Sequence, residues 1–183
     1  MKKTIGYGVA AFLLVAFAPV LLRVIGGVYF LPSADWAARA GAIGTYGGIA
    51  VGVALAALVV ARRKTNPKLA DVSVFKLGWV ALGLVLLGWT AGQQFVVFSI
   101  PMAQAAVAGD EIALPYTVEK PRDRGSRGCR PAIRLRDMPF MGDELCGPPP
   151  ALSAQLSPGM TVYAVGKGTS LGVYYDGFSL TGQ

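Results

Sequence analysis

The chain has 183 residues, is 54% hydrophobic and carries only 15% charged residues, well below the roughly 25% of an ordinary soluble domain. Its 17 Lys and Arg against 10 Asp and Glu give a net charge of +7, and there is no histidine. That absence excludes Ser-His and Cys-His nucleophilic pairs, His-ligated zinc, HExxH sites and haem held by histidine.

Apolar residues gather in three runs within the first 100 residues, and charge divides at the same place. Residues 1–100 hold nine Lys/Arg and two Asp/Glu, while residues 101–183 hold eight of each. The positive excess therefore flanks the apolar runs, as in proteins oriented across a membrane. The later half has no basic stripe with interleaved aromatics, so no nucleic acid partner is expected. The predicted fold class is three transmembrane helices (residues 1–101) plus a small, β-rich extracytoplasmic domain (102–183) with one disulfide.

Span one is predicted over about 5–22, behind Lys2 and Lys3. Its 18 uncharged residues are near the lower limit for a hydrocarbon core of roughly 30 Å. A cleaved secretory signal competes for this stretch. Ala16-Phe17-Ala18 is the only small-x-small site, however, and Pro19 would follow the cut, so an uncleaved span is expected. Val24 to Leu31 extends the apolar character, with Arg23 expected to snorkel toward headgroups.

Spans two and three are predicted over about 41–61 and 77–100, with Pro101 just past the end. Lys2 and Lys3, with Arg62, Arg63, Lys64, Lys68 and Lys76 between spans two and three, place seven basic residues on one side. Positive charge favours the cytoplasm, so the N-terminus is expected inside and residues 102–183 in the periplasm of a bacterial inner membrane. Tyr7, Trp79, Tyr29 and Trp36 read as interfacial anchors.

Gly44, Gly48, Gly52 and Ala56 recur every four residues, and Gly88 and Gly92 make a shorter stripe on span three. Such stripes let helices approach closely, either within one chain or against a partner or second copy. Spans two and three contain no charged residue, which disfavours a transport path. Gln93 and Gln94 are their strongest polar features.

In the outer domain, residues 102–110 read as a small-residue connector. Glu111 to Glu119 is strand-like, with Pro115 requiring an edge position or a bulge. Residues 120–128 form a polar loop, and Arg130 to Arg136 alternate as a half-buried strand. Gly147 to Pro150 reads as a stiff bend. Met160 to Val165, Leu171 to Tyr175 and Phe178 to Leu180 are predicted strands, with turns at Gly166–Ser170 and Asp176-Gly177, making four or five strands in all.

Cys129 and Cys146, the only cysteines, fall in the domain placed outside and read as one disulfide. With no other Cys and no His, neither a metal nor a cofactor is expected. Arg122, Arg124, Arg127 and Arg130 form the one functional-looking cluster: a solvated loop, or a contact for an acidic partner or lipid headgroups. Asp143-Glu144 is a carboxylate pair beside Cys146, with no second acid placed opposite it by the sequence.

Three functions remain open on this reading. The first is a non-catalytic accessory or interaction protein of a membrane complex, with the lipid bilayer and a membrane or periplasmic protein as partners and homo-oligomerisation possible through a glycine stripe. The second is an immunity or exclusion protein against an incoming toxin or conjugation apparatus. The third is a membrane enzyme using carboxylates such as Asp143, Glu144 or Asp176.

Overall fold

The computed structural model describes residues 2–63, 72–123, 129, 131–139 and 142–181. The chain divides into two compact units, one of Met1–Phe17 with Gly41–Val96 and the other of Ala18–Ala40 with Val97–Gln183.

The first unit is helical. It draws on α1 (Lys2–Gly26), α2 (Ala34–Arg62) and α3 (Val74–Gln93). The segments Ala34–Arg62 and Val74–Ala108 are long and apolar enough to cross a membrane; the apolar stretch of α1, Ala10–Gly26, is shorter. Ser73 caps α3, its side chain accepting the Lys76 N–H, which satisfies one of the unpaired donors of a helix start.

The helices differ most from the predicted spans at two ends. α2 begins at Ala34 rather than near 41. The Ser33 hydroxyl accepts the Trp36 N–H at 3.3 Å and Asp35 sits in the first turn, so the charged residues that masked the helix are those that start it. The segment after α3 does not stop before Pro101. It passes through a π-helical turn, Gln94–Ser99, into α4 (Ile100–Ala108) with Pro101 in its first turn. A proline there lacks only an N–H that a helix start leaves unpaired, and the wider π turn precedes it. Residues 102–108 are accordingly helix, not connector, with Met102 and Ala105 buried.

The second unit is a six-stranded antiparallel sheet, curled as a half-barrel. Its strands are β1 (Phe30–Pro32), β2 (Asp110–Asp123), β3 (Ala132–Leu135), β4 (Glu144–Cys146), β5 (Thr161–Thr169) and β6 (Gly172–Ser179), in the order β1-β6-β5-β2-β3-β4. A short helix, α5 (Pro150–Gln155), follows Gly147 to Pro149.

β2 organises the sheet because it is shared. Asp110–Thr117 pairs with β5 and Val118–Asp123 with β3. Pro115 lies in the first half, where only β5 is paired. Arg136 N donates to Thr117 O, so Thr117 turns its polar groups away from β5. Strand alternation gives Pro115 the same side, and its missing N–H removes no ladder bond.

The predicted turn at Gly166–Ser170 is strand. β5 runs through Thr169, and Ser170 and Leu171 alone make the reversal. Gly166 sits at a bulge with φ of 155°, where an added Cβ would strike the Tyr174 carbonyl. Asp176-Gly177 is likewise not a turn: Gly177 faces Val165 and Tyr175 faces Gly166, leaving Asp176 as the extra bulge residue.

The core of this unit is Leu31, Val118, Ile133, Leu135, Leu145, Val162 and Val173, all essentially inaccessible. β1 falls at the end of the stretch Val24 to Leu31 expected to extend the apolar run of span one, yet it supplies Leu31 to this core and pairs with β6. Helix α4 is tied to the sheet through its carbonyls. Tyr174 OH donates to Met102 O at 2.9 Å and Lys167 Nζ to Ala106 O at 3.1 Å.

Candidate functional site

Several polar groups gather around the Cys129–Cys146 disulfide, among them Arg23, Glu144 and Tyr175. Both cysteines are buried, with Ala132 and the ring of Tyr29 packed against them. The sequence pairing of the two cysteines is what the structure shows.

β4 is an outer strand, and its geometry exposes polar groups. Gly147 N donates to Pro131 O and Leu135 N to Asp143 O. Alternation therefore turns the Cys146 N–H away from β3. That N–H donates to the hydroxyl of Tyr175, on β6, at 2.9 Å. The opposite outer strand is treated alike. Ser33 N donates to Leu171 O, so Pro32 turns its carbonyl away from β6, and the Tyr116 hydroxyl donates to it at 3.1 Å. Each edge of the sheet is closed by a buried tyrosine rooted elsewhere in it, which leaves neither group orphaned.

Burial governs these tyrosines. Desolvation pushes the Tyr116 hydroxyl well above its ordinary range, with the charge that Tyr175 would carry adding to it. Tyr175 is pushed up to about 12, chiefly by burial, while the Cys146 N–H and the Arg23 guanidinium pull it partly back. Tyr175 also stacks on Tyr29 and Phe178, with centroids 5.9 and 5.5 Å away.

Arg23, near the end of α1, completes the group. Its Nη2 donates to Glu144 Oε2 at 3.2 Å and lies 3.7 Å from Cys146 Sγ. Arg23, expected to snorkel toward headgroups, has its guanidinium engaged by Glu144 within the unit. The neighbouring carboxylate, Asp143, pairs with Arg134 at 3.0 Å. Asp143 and Glu144 are thus held by different arginines rather than joined as an acid–base pair. Asp176 is exposed on the β6 bulge.

The glycine stripes occupy the helical unit. An added Cβ at Gly44 or Gly48 would meet the backbone of Gln93, Gly92 or Gly88, and one at Gly52 the backbone of Leu84 and Val85. Gly44, Gly48 and Gly52 therefore face Gly88 and Gly92 within the chain, and Gln93 Nε2 donates to Thr45 Oγ1 across the same contact. The side chains of Arg122, Arg124, Arg127 and Arg130 lie outside the described residues. Among the described residues no group of three His, Cys, Asp or Glu is placed to hold a metal ion.

Sequence reading missed Arg23, Tyr29, Tyr116 and Tyr175 as partners. The available signal was Arg23 itself, a lone charge inside an apolar helical run, which calls for a counter-charge. Comparison with known proteins finds no matching family, no similar characterised protein and no similar solved structure.

Proposed function

We propose that the chain is an integral protein of a bacterial inner membrane, with its N-terminus in the cytoplasm and its sheet unit in the periplasm. There it serves as a non-catalytic accessory or interaction subunit of a membrane complex. The observation that carries this reading is the exposure of large apolar side chains along α2 and α3 in a chain whose other unit contains an oxidised cysteine pair. Ile43, Tyr46, Val53, Leu58, Phe75, Trp79 and Leu82 are all exposed, which suits lipid and is unfavourable in water. A disulfide suits an oxidising compartment, and both features agree with the basic residues around Arg62 to Lys76.

The state of the carboxylates supports a non-catalytic role. Asp143 and Glu144, two of the three carboxylates named for an enzyme reading, are each engaged by an arginine.

The test is affinity isolation of the tagged full-length protein from carbonate-washed membranes in mild detergent, with bound proteins identified by mass spectrometry. A stoichiometric partner is expected. Recovery in the soluble fraction would remove the membrane reading. A partner-free protein that turns over an envelope lipid or polymer would replace the accessory role with an enzyme.

A further inference from the structure

We propose that the last turn of α1, carrying Leu21, Leu22, Val24 and Ile25, is a lipid-facing surface of the sheet unit, with Arg23 turned away from lipid into its pair with Glu144. This names a partner surface within the membrane reading above and rests on that reading.

The argument starts from helix geometry. At about 100° per residue, the side chains of residues 24, 21, 25 and 22 fan over an arc of roughly 160°, and residue 23 falls almost opposite its middle. The structure follows this division. All four apolar side chains are exposed, Val24 by 76% and Ile25 by 82%, while the Arg23 side chain is 28% exposed and bonded to Glu144. A helix facing water does the reverse, turning charge outward and its apolar stripe inward. Charge inward and apolar outward is the arrangement hydrocarbon demands, because a charge facing acyl chains is costly.

The ion pair also answers a shortage of length. The uncharged run Ile5 to Leu22 has 18 residues, about 27 Å of helix against a hydrocarbon core of roughly 30 Å. With Arg23 neutralised by Glu144, the run extends to Ile25 and reaches about 32 Å. α1 ends at Gly26, and Gly27 takes a left-handed φ of 61°, a turn that suits glycine. The chain then enters β1. Helix end, apolar limit and start of the sheet therefore coincide within a few residues.

The experiment uses the full-length protein in nanodiscs of phosphatidylcholine and phosphatidylglycerol. Its native cysteines are joined to each other, so a single introduced cysteine can be labelled with an environment-sensitive fluorophore without reductant. Three variants are compared: Ile25→Cys, Val51→Cys on the exposed face of α2, and Met160→Cys on the sheet unit. Each is titrated with doxyl-labelled lipid and with aqueous iodide.

The expected result is that the Val51 and Ile25 probes are blue-shifted and lose most of their emission to doxyl lipid, while the Met160 probe responds to iodide. Quenching at Val51 with an Ile25 probe that responds only to iodide would overturn the proposal and leave the membrane reading standing. An Ile25 probe shielded from both quenchers would mean that protein covers this turn, and would overturn it as well. A Val51 probe open to iodide would remove the membrane reading and this inference together.

Discussion

The hydroxyl of Tyr175 accepts the backbone N–H of Cys146 at 2.9 Å, joining β6 to the outermost strand on the far side of the sheet. Those strands are separated in sheet order by β5, β2 and β3, so this contact exists only because the sheet curls. It involves a residue of the disulfide itself, and Arg23 from the last turn of α1 and Tyr29 just after that helix approach the same cysteines. Side chains here do what a closing strand would do in a complete barrel.

Tyr175→Phe should therefore destabilise the sheet unit well beyond the loss of one hydroxyl. The Cys146 N–H stays buried without its acceptor, a cost of about 1–3 kcal/mol. Tyr174→Phe is the control. Its hydroxyl is a second donor to Met102 O, a carbonyl that retains its place in the helix, so less than about 1 kcal/mol is expected. Thermal midpoints in detergent compare the two, and equal shifts would show that the edge cap contributes nothing special.

Alkaline pH provides an independent measure. Tyr175 moves from 10.0 up to about 12, and Tyr116 also rises. Both bind their proton more tightly folded than unfolded. Their contribution to stability is complete below about pH 10 and is lost as pH climbs through 12, because the unfolded chain ionises first. Tyrosinate absorbance followed together with circular dichroism should show ionisation of buried tyrosines coinciding with loss of structure. Titration of all seven tyrosines near 10 with the fold intact would contradict the burial.

What the sequence made legible follows the range of the interactions. The long apolar helices, the main strands of the second half and the cysteine pair announce themselves through local composition and periodicity, although α4, β4 and α5 do not, and α2 starts seven residues before its apolar run. β1 did not, because Phe30–Pro32 is three residues long and its partner Gly172–Tyr174 lies some 140 residues away. Gly166 and Gly168 were read as turn residues because glycine is the commonest turn signal. Their actual cause is crowding: a Cβ at Gly166 or Gly168 would strike the backbone of β6. The candidate site was half legible, since Cys129, Cys146 and Glu144 stood out in sequence while Tyr175 and Arg23 acquire meaning only through the curl of the sheet.

The glycine contact predicts a sharp contrast between neighbours. A Cβ at Gly88 would lie 2.6 Å from Gly48 O and 2.7 Å from Gly52 Cα, so Gly88→Val must push α2 and α3 apart. A loss of about 1–3 kcal/mol is expected, as for other overpacked contacts. At Gly47 and Gly83 a Cβ meets nothing within 4 Å. Alanine there should be neutral or should gain up to about 1 kcal/mol from helix propensity. Resistance to unfolding in mixed detergent micelles ranks the three, and a tolerated Gly88→Val would deny the close approach.

Removal of the disulfide tests how much of the sheet unit depends on its staple. Cys129 and Cys146 are 17 residues apart, and a loop of that size is worth about 3 kcal/mol in the chain-entropy model. Cys129→Ala with Cys146→Ala should lower the midpoint of the sheet unit correspondingly, read from the near-ultraviolet signal of Tyr29, Tyr116 and Tyr175. In the native protein a thiol reagent should label nothing until reductant and denaturant are both supplied. Ready labelling with reductant alone would show that the burial of the two sulfurs does not protect them.

The pairing of Arg23 with Glu144 can be isolated by a double-mutant cycle. Arg23→Met keeps an apolar stem of similar reach, and Glu144→Gln keeps shape and hydrogen-bonding capacity without charge. Each single change removes this pair in a setting where the side chains are 28% and 15% exposed. That lies between the weak surface pair and the costly fully buried one, so a loss on the order of 1–2 kcal/mol is expected for each. The double variant should lose less than the sum, because neither charge is then left uncompensated. The sign of the difference is the informative quantity. Strict additivity would mean that the guanidinium and carboxylate are neighbours without coupling.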